Sequence, residues 1–345
     1  MPVCPANHEV IYQPELRRTG FLFRQFVALT LFTALDLVRQ PISLLLTAAC
    51  VVLMSFAAMQ AFQFGENGKF ARDSCLALQF VFGLAAGAYG ACTTLSNEIK
   101  SGTAQVILSK PVSRELFFAA KFTGLSAFVA LFSVCTISAT LLSEKASPEL
   151  YVTDNSAMLL LLCSVPVALG VSALMNYRLD RPFTNTAFWL LLLCLVAGLG
   201  LSSLFHGKVS WDSCGHNLAN HEECAIHWRL VPAGILVSMS IVVLSATALA
   251  LATRLSTAPV LAISAGLLLT GLLSDYLLAA DGAGAPATIC HSIIPDWQHY
   301  WMADALISGG IISWTYVIVA GAYASCYLLT VLASGILLFR DRELR

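Results

Sequence analysis

The sequence predicts an all-α, polytopic membrane bundle of about eight transmembrane helices, and three observations predict it. Of 345 residues, 58% are apolar and 11% are charged, too few ionic groups to cover a water-facing globule. Apolar runs of about 20 residues, the length a helix needs to cross a hydrocarbon core of about 30 Å, recur at 41–62, 75–96, 116–142, 157–176, 184–205, 231–252, 258–279 and 311–339. All are uncharged except for Lys121 near the start of the third and Asp275 near the end of the seventh, both within snorkelling reach of an interface. Lys and Arg fall asymmetrically between the connecting segments. Helices rather than a barrel follow from the continuous apolar runs, since barrel strands alternate polar and apolar positions.

The basic residues orient the chain, because Lys and Arg are retained on the cytoplasmic side. With the N-terminus inside, the inner segments hold 14 of them: Arg17, Arg18, Arg24 and Arg39; Lys100, Lys110, Arg114 and Lys121; Arg178 and Arg181; Arg254; and Arg340, Arg342 and Arg345. The outer segments hold five: Lys69, Arg72, Lys145, Lys208 and Arg229. Both termini are therefore expected in the cytoplasm of a cell (plasma or inner) membrane. The sixth and seventh spans rest on Arg254 alone, and a hairpin dipping in from outside is the rival there. The first 20 residues are polar and contain prolines, unlike a cleaved signal, so the first span is expected to target the chain. No basic stripe with interleaved aromatics points to nucleic acid.

Along the chain, residues 21–39 read as an interfacial helix. Residues 26–35 are apolar apart from Thr30 and Thr33, a run too short to cross, and Pro41 marks a bend into the first span. A ninth span, the other reading, would leave Arg17 and Arg18 on the wrong side. In the second span, Gly83, Gly87 and Gly90 leave one face bare for close helix packing. Tyr316, Tyr323 and Tyr327 in the last span suit either a path lining or hydrogen bonds to neighbouring helices, the second being the simpler. With no internal repeat visible, the chain reads as one membrane domain (1–345). It has a tail and interfacial helix at 1–40, a cytoplasmic loop at 97–115 and outer loops at 206–230 and 280–310, where Trp297, Tyr300 and Trp301 suggest an interfacial helix within 294–305.

Several chemistries are missing. No ionisable residue lies at mid-depth, where a proton- or sodium-driven carrier keeps one. No G-x-S-x-G or intramembrane Asp pair marks a protease, and no P-loop is present. Catalytic residues and cofactors are accordingly none. The loop after the fifth span gathers His206, Cys214, His216, His221, Cys224 and His227. Cys214 and Cys224 enclose nine residues on an oxidising face, which suits a disulfide, with Cys290 as another partner. A metal site is the alternative, although the spacing matches no zinc pattern and Ala225 stands where H-E-x-x-H needs its second His.

Between the second and third spans, the local signals are dense. Gly102 is placed to end a helix, Thr103 to cap a new one, and Lys110-Pro111 to force extended backbone after fewer than two turns. Ser113 then caps the third span, with Glu115 in its first turn. Val106, Ile107 and Leu108 are apolar on a short helix standing off the membrane, where a protein groove is the natural partner.

This pattern, with Glu98, Gly102, Thr103, Pro111, Arg114 and Lys121 in order and spacing, resembles the cytoplasmic loop of type 2 ABC exporter permeases. The resemblance is specific over about 30 residues. It implies that residues 103–109 form a coupling helix that docks into a cytoplasmic ABC ATPase subunit, that residues 21–39 are an elbow helix, and that the chain pairs with itself or with a related permease. The ending Leu338-Phe339-Arg340-Asp341-Arg342-Glu343-Leu344 is similar to the family's closing segment. Members usually have six spans, so eight would be the family core plus an extra pair, and the loop at 206–230 has no counterpart. The expected function is the permease subunit of an ATP-driven exporter, itself no enzyme. Two other functions use the same features: a non-transporting anchor that recruits a cytoplasmic protein through the loop, and a membrane enzyme with a metal in the outer His/Cys loop.

Overall fold

The computed structural model describes residues 14–64, 67–100, 102, 113–147, 155–204, 226–273, 297–306 and 310–340. Nine long helices carry the fold: α1 (Pro14–Arg39), α2 (Pro41–Phe64), α3 (Asn67–Ala91), α4 (Arg114–Ala146), α5 (Asn155–Leu179), α6 (Phe183–Leu204), α7 (Val231–Ala252), α8 (Thr257–Leu272) and α9 (Trp314–Arg340). No strand occurs among the described residues. Seven of the helices, α2 to α7 and α9, are long and apolar enough to cross a bilayer, so the chain is a multi-pass membrane protein.

The expected seventh span is the one that differs. α8 has 16 residues, about 24 Å at the rise of an α-helix, which falls short of a hydrocarbon core of about 30 Å; residues 274–279 of that predicted span lie outside the described residues. The chain nevertheless changes sides there. Contacts between helix ends define two faces. On the lower face, Thr184 Oγ1 donates to Arg39 O at 2.8 Å, Ser96 Oγ to Leu255 O at 3.4 Å, Arg114 Nη1 to Arg340 O at 2.8 Å and Arg254 Nη2 to Leu338 O at 3.1 Å. On the upper face, Arg72 Nη1 donates to Leu306 O at 3.3 Å and Lys145 Nζ to Ser202 O. Thus α7 ends and α8 begins below, while Leu306 lies above, and a hairpin dipping in from above is ruled out. The ends of α1 and α9 share the lower face.

α4, 33 residues long, is the central post and touches every long helix but α8. α3, α4 and α7 bury 67% of their most apolar windows, against 28% for α5, 33% for α6 and 17% for α9. The last three turn Leu159, Leu174, Leu193, Ile318, Val319 and Leu329 outward, which suits helices facing lipid rather than water. α1 was expected as an interfacial helix and lies against the lower part of α4: Thr30 Oγ1 reaches Ala120 O at 3.5 Å. It buries Thr33, Leu37 and Val38 and exposes Phe23, Leu31 and Leu35. Gln40 breaks the helix before Pro41 starts α2.

Small residues set the closest approaches. A Cβ at Gly83 would strike Ile241, one at Gly87 would strike Ser245, and one at Gly90 would strike Leu125, so the bare face of α3 is a packing surface against α7 and α4. On the upper face, the described part of the expected aromatic helix folds as two 3-10 turns, Trp297–His299 and Asp304–Leu306, rather than one interfacial helix. Tyr316 donates to His299 O at 2.8 Å and Tyr323 stacks on the His299 ring at 6.1 Å. The hydrogen-bonding reading of Tyr316 therefore holds.

Gly124 seats α1 on α4: a Cβ there would meet Thr30 O, a backbone atom, as well as the Thr33 side chain. Gly124→Val is expected to push α1 off α4 and cost about 1–3 kcal/mol as an overpacked contact. Gly170→Ala faces open space and replaces a helical glycine, so it is expected to be neutral or slightly stabilising. Thermal unfolding of both variants in the same detergent checks the contrast.

Candidate functional site: the lower end of the α3–α4 hairpin

The lower end of α3 is irregular for a local reason. After Ala91 the helix widens into one π turn, Cys92–Ser96, then closes with a last α turn, Asn97–Lys100. Two adjacent threonines hold the widened turn. Thr94 Oγ1 donates to Gly90 O at 2.8 Å, and Thr93 Oγ1 lies 3.2 Å from Tyr89 O and 3.0 Å from Gly90 O, so carbonyls that lose their usual partners gain hydroxyl donors. One extra residue in a turn rotates the rest of the helix by about 100°. The residue this swings into the bundle is Glu98.

Glu98 Oε1 accepts from Lys121 Nζ at 2.6 Å. The ammonium is 1% exposed as a side chain and the carboxylate 16%. The rings of Phe117 and Phe32 lie 5.4 and 5.8 Å from the nitrogen, close enough for cation–π attraction. Burial pushes the Glu98 carboxyl above its ordinary range, Lys121 pulls it down, and Asp36 on α1 adds a smaller push upward. The two elements flanking the loop, α3 and α4, and the helix α1 packed on α4 therefore meet at one buried charge pair.

The return from the loop is capped as expected. Ser113 has extended backbone and its Oγ accepts from Leu116 N at 3.2 Å; Glu115 sits in the first turn, where its charge suits the helix N-terminus. Gly102 ends the preceding turn: its N–H donates to Ile99 O at 3.3 Å and its φ is +76°, the left-handed conformation that glycine adopts without a Cβ penalty. Arg114 and Arg254 each donate to a carbonyl in the last turn of α9, groups that have no partner within the helix. Phe339 stacks on Phe117 at 5.9 Å and approaches Phe118 at 6.2 Å, anchoring the same turn.

Of the residues singled out in the sequence, Glu98 and Lys121 are in direct contact, Gly102 and Arg114 flank the loop, and Thr103, Val106, Ile107, Leu108 and Pro111 lie outside the described residues. So do Cys214, Cys224 and Cys290, with His206, His216 and His221. Among the described residues no group of three or more His, Cys, Asp or Glu side chains is arranged to hold a metal. His227 is described: its Nδ1 lies 3.6 Å from Glu144 Oε2 on the upper face. Sequence reasoning did not mark Phe32, Phe117, Phe339 or Arg254 as parts of this site. The adjacent Thr93 and Thr94 were the one available signal for the π turn.

No family model matches the chain, and no curated protein matches it.

The buried pair makes a specific energetic expectation. Lys121→Met leaves a mostly buried carboxylate without its cation, a change that costs about 3 kcal/mol or more. The double variant Glu98→Gln, Lys121→Met removes both charges and is expected to recover most of that loss. A double-mutant cycle on thermal unfolding in detergent reads the coupling; additive losses would show that the pair contributes nothing beyond its separate side chains.

Proposed function

We propose that this chain is the membrane-spanning permease subunit of an ATP-binding-cassette exporter, with a separate cytoplasmic ATPase subunit and a second permease, itself or a related chain, completing the transporter. The observation that carries the reading is the Glu98–Lys121 pair at 2.6 Å. It ties the residues just before the loop at 103–112 to the helix just after it, in the order and spacing of the family's motif. A short apolar segment held at both ends by α3 and α4 has the character of a lever: force on it reaches both helices.

Two further links extend the lever. Arg114 joins the loop's exit to α9, and Ser96 joins its entry to Leu255 below α7. Closure of an ATPase pair on residues 103–109 would then move α3, α4, α7 and α9 at their lower ends, a rigid-body route to switching access. The lower face is the cytoplasmic one in this reading, because eight basic residues of the inner segments, Arg39, Lys100, Arg114, Lys121, Arg178, Arg181, Arg254 and Arg340, lie toward it among the described residues. Both termini then lie in the cytoplasm of the cell membrane. The absence of a P-loop from the sequence assigns ATP hydrolysis to the partner.

Purification in mild detergent is expected to bring down a cytoplasmic ATPase whose turnover depends on this subunit. Val106→Asp, Ile107→Asp should abolish that association with the protein still inserted. Glu98→Gln should keep the ATPase bound while lowering transport-linked ATP turnover by about tenfold or more. A bound partner without nucleotide binding would instead support the anchor reading.

A further inference from the structure

The basic residues of the lower face divide into two sets. Lys121, Arg114 and Arg254 use their donors within the protein. Arg39, Arg178 and Arg181 are exposed, and among the described residues their side chains make no hydrogen bond or ion pair. The fold brings these three to one corner. Thr184 Oγ1 donates to Arg39 O at 2.8 Å, placing the end of α1 against the first turn of α6. Arg181 lies three residues before Thr184, and Arg178 three before that, across a turn that Asn176 Nδ2 closes by donating to Arg181 O at 2.6 Å. Asp180, whose φ of +51° makes the turn tight, is the acid within it, and Asp36 lies one turn before Arg39 on α1.

The surroundings of the corner are apolar. Tyr177 is 83% exposed and Leu179 61%, with Leu174 and Phe183 also outward. They sit at the ends of α5 and α6, two helices that face lipid over most of their length. Guanidinium groups beside an exposed tyrosine, phenylalanine and leucines, at the level where membrane helices end, match the two parts of a phospholipid: phosphate for the arginines, and the glycerol and upper acyl chain for the apolar side chains. A soluble acidic protein would leave those side chains in water.

We infer that Arg39, Arg178 and Arg181, with Tyr177, Leu179 and Phe183, form a binding site for the headgroup of an anionic phospholipid. The bound lipid bridges α1 to the α5–α6 hairpin, a junction that the protein itself joins through the Thr184–Arg39 bond and side-chain packing. Nothing in this inference depends on an ATPase partner.

The test uses the purified full-length chain in neutral detergent, with palmitoyl-oleoyl phosphatidylglycerol, palmitoyl-oleoyl phosphatidylcholine and glycerol 3-phosphate as probes. Native mass spectrometry counts bound lipid, and the unfolding midpoint in phosphatidylcholine alone checks that each variant is folded. Phosphatidylglycerol is expected to bind at least tenfold more tightly than phosphatidylcholine and to raise the midpoint. Each of Arg39→Gln, Arg178→Gln and Arg181→Gln should weaken phosphatidylglycerol about fivefold and leave phosphatidylcholine unchanged, and Tyr177→Ser should weaken both lipids. Glycerol 3-phosphate should neither stabilise nor compete. The single variants carry the test if the triple variant does not fold. Equal affinity for the two lipids, or an undiminished preference in all three Arg variants, overturns the site. Full competition by glycerol 3-phosphate makes it a free-anion site and overturns the lipid assignment. Loss of a co-purifying protein with lipid binding intact gives the corner to that protein and likewise overturns it.

Discussion

A lysine ammonium with 1% of its side chain exposed, in a helix that crosses a membrane, has to find an anion, and the lower half of this bundle is arranged around the one that Lys121 finds. Glu98 reaches it only because α3 widens at Cys92–Ser96. The widened turn persists because Thr93 and Thr94 supply hydroxyls to the displaced carbonyls. Phe32 arrives from α1 and Phe117 from α4 to shield the nitrogen, and α1 lies close enough to do so because residue 124 of α4 is glycine. Losing Glu98, or the widened turn that delivers it, would leave a charge in a low-dielectric site without its counter-ion, a cost larger than most single packing contacts.

From that constraint a mechanical asymmetry follows. On the lower face, charged or hydroxyl side chains tie α3 to α4 and α7, and α4 and α7 to the last turn of α9. α5 and α6 stand outside this lower set: α6 is linked below through Thr184 and Arg39 and above through Lys145 and Ser202, with apolar contacts between, such as Phe128 against Phe188 at 6.2 Å. Polar ties between helix ends resist sliding and splaying, whereas apolar faces in lipid slide at little cost, since lipid tails replace the lost contacts. At its lower face the bundle is thus divided by chemistry into a group of helix ends joined by several polar ties and a hairpin joined by one.

Much of this is legible in the chain of residues alone. Seven of the eight expected spans, the break at Gln40–Pro41, the left-handed Gly102, the Ser113 cap and the bare glycine face all come from local rules of length, capping and sterics, and each is present among the described residues. Glu98 and Lys121 carried the family-like pattern, but their contact did not follow from spacing: 23 residues apart, with the π turn just before Glu98, they come together only through tertiary packing. The π turn defeated periodicity because a 3.6-residue pattern has no place for an extra residue. α8 misled for a different reason, since hydropathy counts apolar residues and says nothing of where hydrogen bonding of the helix stops. Side chains used by a distant helix end, as Arg254 is by Leu338, leave no mark in sequence at all.

The distribution of charge with depth bears on how such a bundle could be driven. Among the described residues, the charged side chains with named partners lie at the faces: Glu98, Lys121, Arg114 and Arg254 below; Arg72, Asp73, Glu144, Lys145 and His227 above. Between them α3 and α7 meet through an uncharged amide, Gln79 Nε2 donating to Gly234 O and Ser238 Oγ at 3.1 Å each. A neutral hydrogen bond of this kind contributes on the order of 1 kcal/mol and does not respond to a proton or ion gradient. The ties at the lower face, by contrast, join α3 to α4 and α7, and α4 and α7 to α9, so a displacement of one of these helix ends is passed to the others.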